Sequence, residues 1–170
     1  MFIVREVLET DLNNLYDLSH QALLLNLPRD KKLLEKKILE STTSFKNPNK
    51  RELNKNHFIF VLEDYLEKKV IGVSMVHGQH GTKEKPHFFL TVGEEKKYSK
   101  SLDKELNHQT LKFGYETSGY SEIGGLVLNS SYRGHPKKLG KLLSLSRFLY
   151  IKNNPELFTN IVHTELMPPL

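Results

Sequence analysis

Between residues 132 and 141 the chain reads Tyr-Arg-Gly-His-Pro-Lys-Lys-Leu-Gly-Lys, so that Arg133, His135, Lys137, Lys138 and Lys141 are interleaved with Gly134 and Gly140. Glycine lets a main chain approach an oxyanion closely, and the first N–H groups of a helix lack intrahelical acceptors. The chemistry served by that combination is capture of a phosphate-type anion. A charge-assisted hydrogen bond is worth roughly 1.5–3 kcal/mol, so a few amides with Arg133 or a lysine can outweigh desolvation. A helix dipole alone, worth about 0.3–1 kcal/mol, cannot.

Other residues carry weaker signals. Glu122, just upstream on an apolar segment, is a candidate base acting directly or through water, and Glu165 is a second carboxylate of lower rank. Tyr132 and Tyr150 have phenols able to protonate a leaving group, although aromatic packing accounts for both. His77-Gly78-Gln79-His80 with His87 brings imidazoles together in sequence, but at a strand end beside glycines, so no metal is expected. Glu63 and Asp64 end a strand, where exposure is the default and recognition of a guanidinium the alternative.

Composition bounds the rest. The 170 residues are 38% hydrophobic and 26% charged, as expected for a single globular domain spanning 1–170. With no cysteine there is no disulfide, thiol nucleophile or thiolate-bound metal. The longest aliphatic run, Ala22 to Leu25, falls far short of the roughly 20 residues a membrane helix needs. No membrane association and a cytoplasmic location are therefore expected. The net charge of +5 favours anionic partners. Lys31, Lys32, Lys36 and Lys37 read as the solvated face of a helix, and no nucleic-acid recognition motif accompanies them.

The elements that must position these residues follow from periodicity. Phe2, Val4 and Val7 predict an opening strand. Thr10 is placed to cap a helix carrying Leu12, Leu15, Tyr16, Ala22 and Leu23, and Leu33, Leu34 and Ile38 predict a second helix. Phe58 to Leu62 and Val70 to Val76 predict a central antiparallel hairpin turning near Glu67. Between 78 and 120 the chain is polar, with His87–Val92 and Thr110–Tyr115 expected as strands or as an excursion packed on the sheet. Ile123 to Leu128 predicts a strand, Asn129 to His135 a turn, and Pro136 the first position of a helix reaching Asn153. Ile161 to Leu166 is expected as a last strand.

Strand, two helices, an antiparallel pair, a strand, a basic glycine turn, a helix and a strand is an order similar to the GNAT-like acyl-CoA N-acyltransferase superfamily. That resemblance implies an α/β (α+β) fold with a mixed central sheet flanked by helices. It also implies a turn whose amides hold the pyrophosphate of coenzyme A (CoA). The turn departs from the shortest form of the motif: Pro136 and further residues lengthen it, and Lys138 stands where glycine is expected. The stretches Glu122–Leu128 and Leu142–Phe148, with Val4-Arg5, Asn26-Leu27-Pro28, Phe60–Asp64 and Thr164-Glu165-Leu166, resemble the N-terminal portion of the arginine N-succinyltransferase family. The family transfers succinyl from succinyl-CoA to the α-amino group of arginine in arginine catabolism, and its members carry more sequence after this portion.

By that resemblance, succinyl-CoA is the expected co-substrate and an amino acid, arginine, the acceptor; Glu122, from its place before the strand, is the catalytic candidate. The expected CoA-binding residues are Leu126, Val127 and Leu128 on the strand, then Arg133, Gly134, His135, Lys138, Leu139, Gly140 and Lys141. The family's proton-donating histidine falls beyond the matched segment, so none of the histidines here inherits its role. Completion of the site by the missing C-terminal part, a homodimer or a complementing chain is left open. So is a non-catalytic CoA-binding or regulatory role.

Overall fold

The computed structural model describes residues 1–21 and 26–166. Ala22 and Leu23 of the predicted helical stripe, and the tail from Met167, lie outside the described residues. The chain divides into two compact units, one formed by 1–79 with 120–170 and the other by 80–119.

In the first unit the order is β1 (Phe2–Glu6), α1 (Leu12–Ser19), α2 (Lys31–Lys46), β2 (His57–Asp64) and β3 (Lys69–His77). β6 (Ser121–Leu128), α3 (Leu139–Asn153) and β7 (Val162–His163) follow the second unit. The strands form a sheet in the order β1-β2-β3-β6-β7. β1, β2, β3 and β6 run antiparallel to their neighbours and β6 pairs with β7 in parallel, giving the expected mixed sheet.

Alternation along β2 places its side chains on opposite faces. Ile59 and Val61 join Leu15, Leu18, Leu34 and Ile38 of α1 and α2 in one apolar layer. Phe58, Phe60 and Leu62 join Leu139 and Leu143 of α3 in the other. The helices thus cover both faces, which explains why β2 and β3 read as nearly unbroken apolar runs. α2 is also tied to β2 by polar groups: Ser41 Oγ accepts the Ile59 N–H at 2.8 Å and Ser44 Oγ accepts the His57 N–H at 3.0 Å.

Three local expectations are corrected. Thr10 does not cap α1: a 3₁₀ turn over Glu9–Asp11 precedes it, and the Asp11 carboxylate accepts the Leu8 N–H while pairing with Arg5. Pro136 is not the first helical residue, because α3 starts at Leu139 after Lys138 adopts left-handed φ 50°, ψ 50°. The last strand is Val162–His163 rather than 161–166, since pairing with β6 extends over those two residues alone.

In the second unit, β4 (His87–Ser99) and β5 (Lys104–Glu116) pair antiparallel throughout. They form a two-stranded sheet of their own. No helix among the described residues is long and apolar enough to cross a membrane.

Ser41 is fully buried, so replacing it strands a buried donor. Ser41→Ala is expected to cost about 1–3 kcal/mol of unfolding free energy, read as a lowered urea midpoint at unchanged slope.

Candidate functional site

The basic turn folds as a succession of tight bonds that leave particular donors over. The Asn129 side chain accepts the Ser131 N–H at 3.0 Å and opens a 3₁₀ turn over Ser130–Tyr132. Gly134 then reverses the chain at φ 75°. The Lys138 N–H donates to His135 O at 2.8 Å, the Lys137 N–H donates to His135 Nδ1 at 3.1 Å, and Lys141 and Leu142 both donate to Lys138 O. Among the described residues, no acceptor meets the N–H groups of Gly134, Leu139 and Gly140.

These groups border a cleft of about 390 Å³ lined by residues 132–136 and 138–141 together with Leu128. A Cβ on Gly134 would meet nothing within 4 Å, and one on Gly140 only Leu128 Cδ2 at 3.9 Å. The main chain is therefore open to an incoming group. Charge points the same way. The first turn of α3 carries no acidic residue and its N-cap makes no side-chain bond, while Lys138 and Lys141 crowd the positive end of the helix dipole. That placement is unfavourable for an isolated helix and favourable for one whose N-terminus receives an anion. Of the predicted residues, Leu128, Arg133, Gly134, His135, Lys138, Leu139, Gly140 and Lys141 all line the cleft.

The turn is braced from below. Tyr132 donates to Asp64 Oδ2 at 3.4 Å; desolvation and that carboxylate raise its phenol above the usual range. His135 packs edge-on against Phe2 at 5.1 Å between ring centres. Asp64 also accepts the Leu66 N–H, and Glu63 pairs with Arg5, so both carboxylates have internal partners. Tyr150 sits among Phe45, Phe58, Phe60 and Phe158 with its phenol pushed up to about 12 by burial, a packing role.

Upstream, β6 contains a bulge. Val127 pairs with Val73 and Gly124 with Met75, so Gly125 and Leu126 stand opposite Ser74 alone. Gly125 takes φ 57°, and a Cβ there would come within 2.8 Å of Met75 Cγ and Sδ. The bulge flips the strand's alternation: Ile123 packs in the α3 layer and Val127, four residues on, in the α1/α2 layer. Val127 is accordingly buried away from the cleft, whereas Leu126 is 42% exposed. β7 pairs only with Ser121 and Glu122, so beyond Glu122 the outer edge of β6 has no neighbouring strand among the described residues. An edge of this kind presents unpaired main-chain donors and acceptors.

Glu122 occupies the start of this edge, half-buried. Asn26 Nδ2 donates to its Oε1 at 3.3 Å, and its register neighbours are His77 on β3 and His163 on β7. From Glu122 to Leu128 the strand spans about 20 Å, so the carboxylate and the basic cleft are separate ends of one strand. Glu165 is exposed, with its carboxylate 3.4 Å from His163 Nε2. His57 and His77 stack at 4.0 Å in the first unit, while His80 and His87 approach at 4.2 Å in the second.

Sequence reasoning missed Arg147. This α3 side chain is buried, and its guanidinium donates to Gly124 O at 3.3 Å, Ser144 O at 3.2 Å and Ser144 Oγ at 2.9 Å. Desolvation lowers its pKa. The contacts clamp α3 to β6 at the residue preceding the bulge. An arginine within an otherwise apolar helical stripe was the available signal.

A protein-family model described as arginine N-succinyltransferase beta subunit matches residues 2–170. The chain belongs to this family. A Pseudomonas aeruginosa member, arginine N-succinyltransferase subunit beta, is 31% identical over 166 residues, covering 96% of this chain and 47% of its own length. Arginine N-succinyltransferase of Yersinia pestis is 29% identical over 168 residues, covering 98% and 47%. The chain spans about half the length of the curated relatives it matches.

Among solved structures, the arginine/ornithine succinyltransferase subunit AI of P. aeruginosa superposes with a TM-score of 0.85 at 23% identity, over 98% of this chain and 50% of that one. The glucosamine-6-phosphate N-acetyltransferase of Arabidopsis thaliana does so with a TM-score of 0.54 at 16% identity, over 98% and 83%. The chain therefore has the GNAT-like α/β fold.

The bulge makes a direct prediction. Gly125→Ala places a side chain at positive φ against Met75 and is expected to cost about 1–3 kcal/mol. Gly134→Ala, also at positive φ but in open space, should cost less. Chemical denaturation of both variants checks the order.

Proposed function

We propose that this chain forms the acyl-CoA-binding part of an acyltransferase that moves succinyl from succinyl-CoA to the α-amino group of arginine. The observation that carries the reading is the pairing of an open, basic strand-to-helix junction with an exposed strand edge. CoA needs both features, an anion seat for its pyrophosphate and a run of main-chain groups for its amide-bearing arm. The Gly134, Leu139 and Gly140 N–H groups would hold the pyrophosphate, with Arg133, Lys138 and Lys141 supplying countercharge. The edge of β6 at Leu126 would take the pantetheine amides.

The reaction asks three things of the protein. An amine must lose a proton, donors must stabilise the oxygen of the attacked thioester carbonyl, and the nucleophile must be positioned. Glu122 would accept the amine's proton as the C–N bond forms and the C–S bond breaks. Gly125 and Leu126, out of register with β3, would offer main-chain donors to the carbonyl oxygen. Arg147, by holding Gly124 O, would position that backbone rather than touch substrate. Family membership supports arginine as acceptor, and the Pseudomonas relative's description as a subunit supports assembly with another chain.

A second reading is a CoA-binding or regulatory domain without turnover. It is favoured by the bond that already occupies the candidate base, Asn26 Nδ2 donating to Glu122 Oε1 at 3.3 Å. Titration with CoA, succinyl-CoA and acetyl-CoA, followed by thiol release with arginine and with ornithine, separates the two readings. Binding with release supports the transferase, binding without release supports the second reading, and absence of binding rejects both. Gly140→Trp should fill the cleft and weaken CoA binding at least about tenfold, equivalent to roughly 1.4 kcal/mol. Glu122→Gln should leave that affinity unchanged and lower the rate of thiol release by about 10²–10⁴.

A further inference from the structure

The 80–119 unit contains none of the residues assigned above to the cleft or to β6, and it poses a separate problem. A two-stranded sheet is marginal by itself in water, yet this one carries a continuous apolar face. The cross-strand pairs Phe88↔Tyr115, Leu90↔Phe113 and Val92↔Leu111 lie along one side, and all six residues are between 56% and 71% exposed. Phe88 and Phe113 already stack at 5.4 Å between ring centres. The other side, at the same level, carries one aromatic, Phe89, opposite Gly114, and otherwise Thr91, Gly93, Thr110 and Lys112. The arm is therefore amphipathic with its apolar side uncovered.

We propose that this face is a homodimer interface, on which a second copy of the chain packs its own β4–β5 arm about a two-fold axis through the Leu90–Phe113 pair. Three observations select a second copy. The first is shape. The face grades from aromatic (Phe88, Tyr115) through mixed (Leu90, Phe113) to aliphatic (Val92, Leu111), so a two-fold axis at its middle lays the bulky end of one copy on the slim end of the other. An isologous contact requires that self-complementarity. The second is area. A covered aromatic side chain buries on the order of 200 Å², so six large side chains exposed by more than half offer roughly 600 Å² per copy. Two copies bury roughly 1,200 Å², the lower bound for a stable interface.

The third is polarity. Beyond Val92 the same face passes to Glu94 with Gln109, Lys96 with Asn107, and Tyr98 with Glu105; Lys96 and Glu105 are ion-paired at 3.0 Å, so apart from the Tyr98 ring this stretch supplies the polar rim of an apolar contact. The charges along the outer half of both strands also disfavour edge-to-edge strand addition, leaving face-to-face packing.

The test is the mass of the whole chain by sedimentation equilibrium over a range of concentrations. A dimer is expected, and Leu90→Glu and Phe113→Glu, each placing a carboxylate at the axis, should raise its dissociation constant at least about 100-fold. A chain that stays monomeric at every concentration, or a dimer indifferent to both substitutions, overturns the proposal. So does a monomer whose arm face instead captures lipid vesicles.

Because the chain has no cysteine, single-thiol variants give a readout that does not require the glutamate variants to fold. Leu90→Cys should be joined to a second copy by a short bis-maleimide, and Thr91→Cys, at the same level on the opposite face, should not. Equal cross-linking of the two, or none of either, contradicts the interface. Because none of the substituted residues is among those assigned to the cleft or to β6, CoA affinity should be the same in the wild-type chain and its arm variants. Failure of the CoA reading would appear as absent binding in all of them.

Discussion

Main-chain N–H groups without acceptors at the junction of β6 and α3 are the constraint around which the first unit is arranged. A helix normally answers its leading donors with a capping side chain and favours acidic residues in its first turn. α2 does the first through Asp30, whose carboxylate accepts the Leu33 N–H at 3.1 Å. α3 does neither: Lys138 caps nothing, no acid follows, and Leu139 and Gly140 direct their donors to a cleft bordered by cations. Exposed to water these donors cost little. They become useful when a multivalent anion replaces that water, each charge-assisted bond then contributing roughly 1.5–3 kcal/mol.

Holding such a junction open requires rigidity around it. Leu139 and Leu143 anchor the first turns of α3 in the apolar layer against β2 and β3, Tyr132 reaches Asp64, and Phe2 supports His135. Arg147 then couples the helix to the strand at Gly124, next to the bulge. The anion seat and the bulged strand edge are in this way fixed to one another through α3. A reaction that needs a long donor held at both ends has its two contact regions on one continuous strand–turn–helix segment.

Much of this was legible because the relevant signals are local. The run of glycine and basic residues at 133–141 marked the cleft, since charge and main-chain access are properties of neighbouring residues. The apolar runs at 58–62 and 70–76 marked the central strands. Part of what escaped depended on partners distant in sequence. In sequence Gly124-Gly125 reads as part of a plain strand, and the bulge emerges only from the register of Ser74 on β3, which turns Val127 inward. Pro136 suits a first helical position, yet the bond from Lys138 N–H to His135 O delays the helix by a further turn. Asn26, which donates to Glu122 across 96 residues, carries no local mark. For 80–119 the sequence marks strands shorter than β4 and β5, because their outer halves are charged and lack the apolar alternation by which a half-buried strand is recognised.

The most direct measurement is an ¹H–¹⁵N correlation titration of the whole chain with CoA. The account predicts that the amide resonances of Gly134, Leu139 and Gly140 move together and saturate with one dissociation constant, while that of buried Val76 stays in place. If CoA binds with these three resonances unmoved, or if nothing saturates, the account is contradicted.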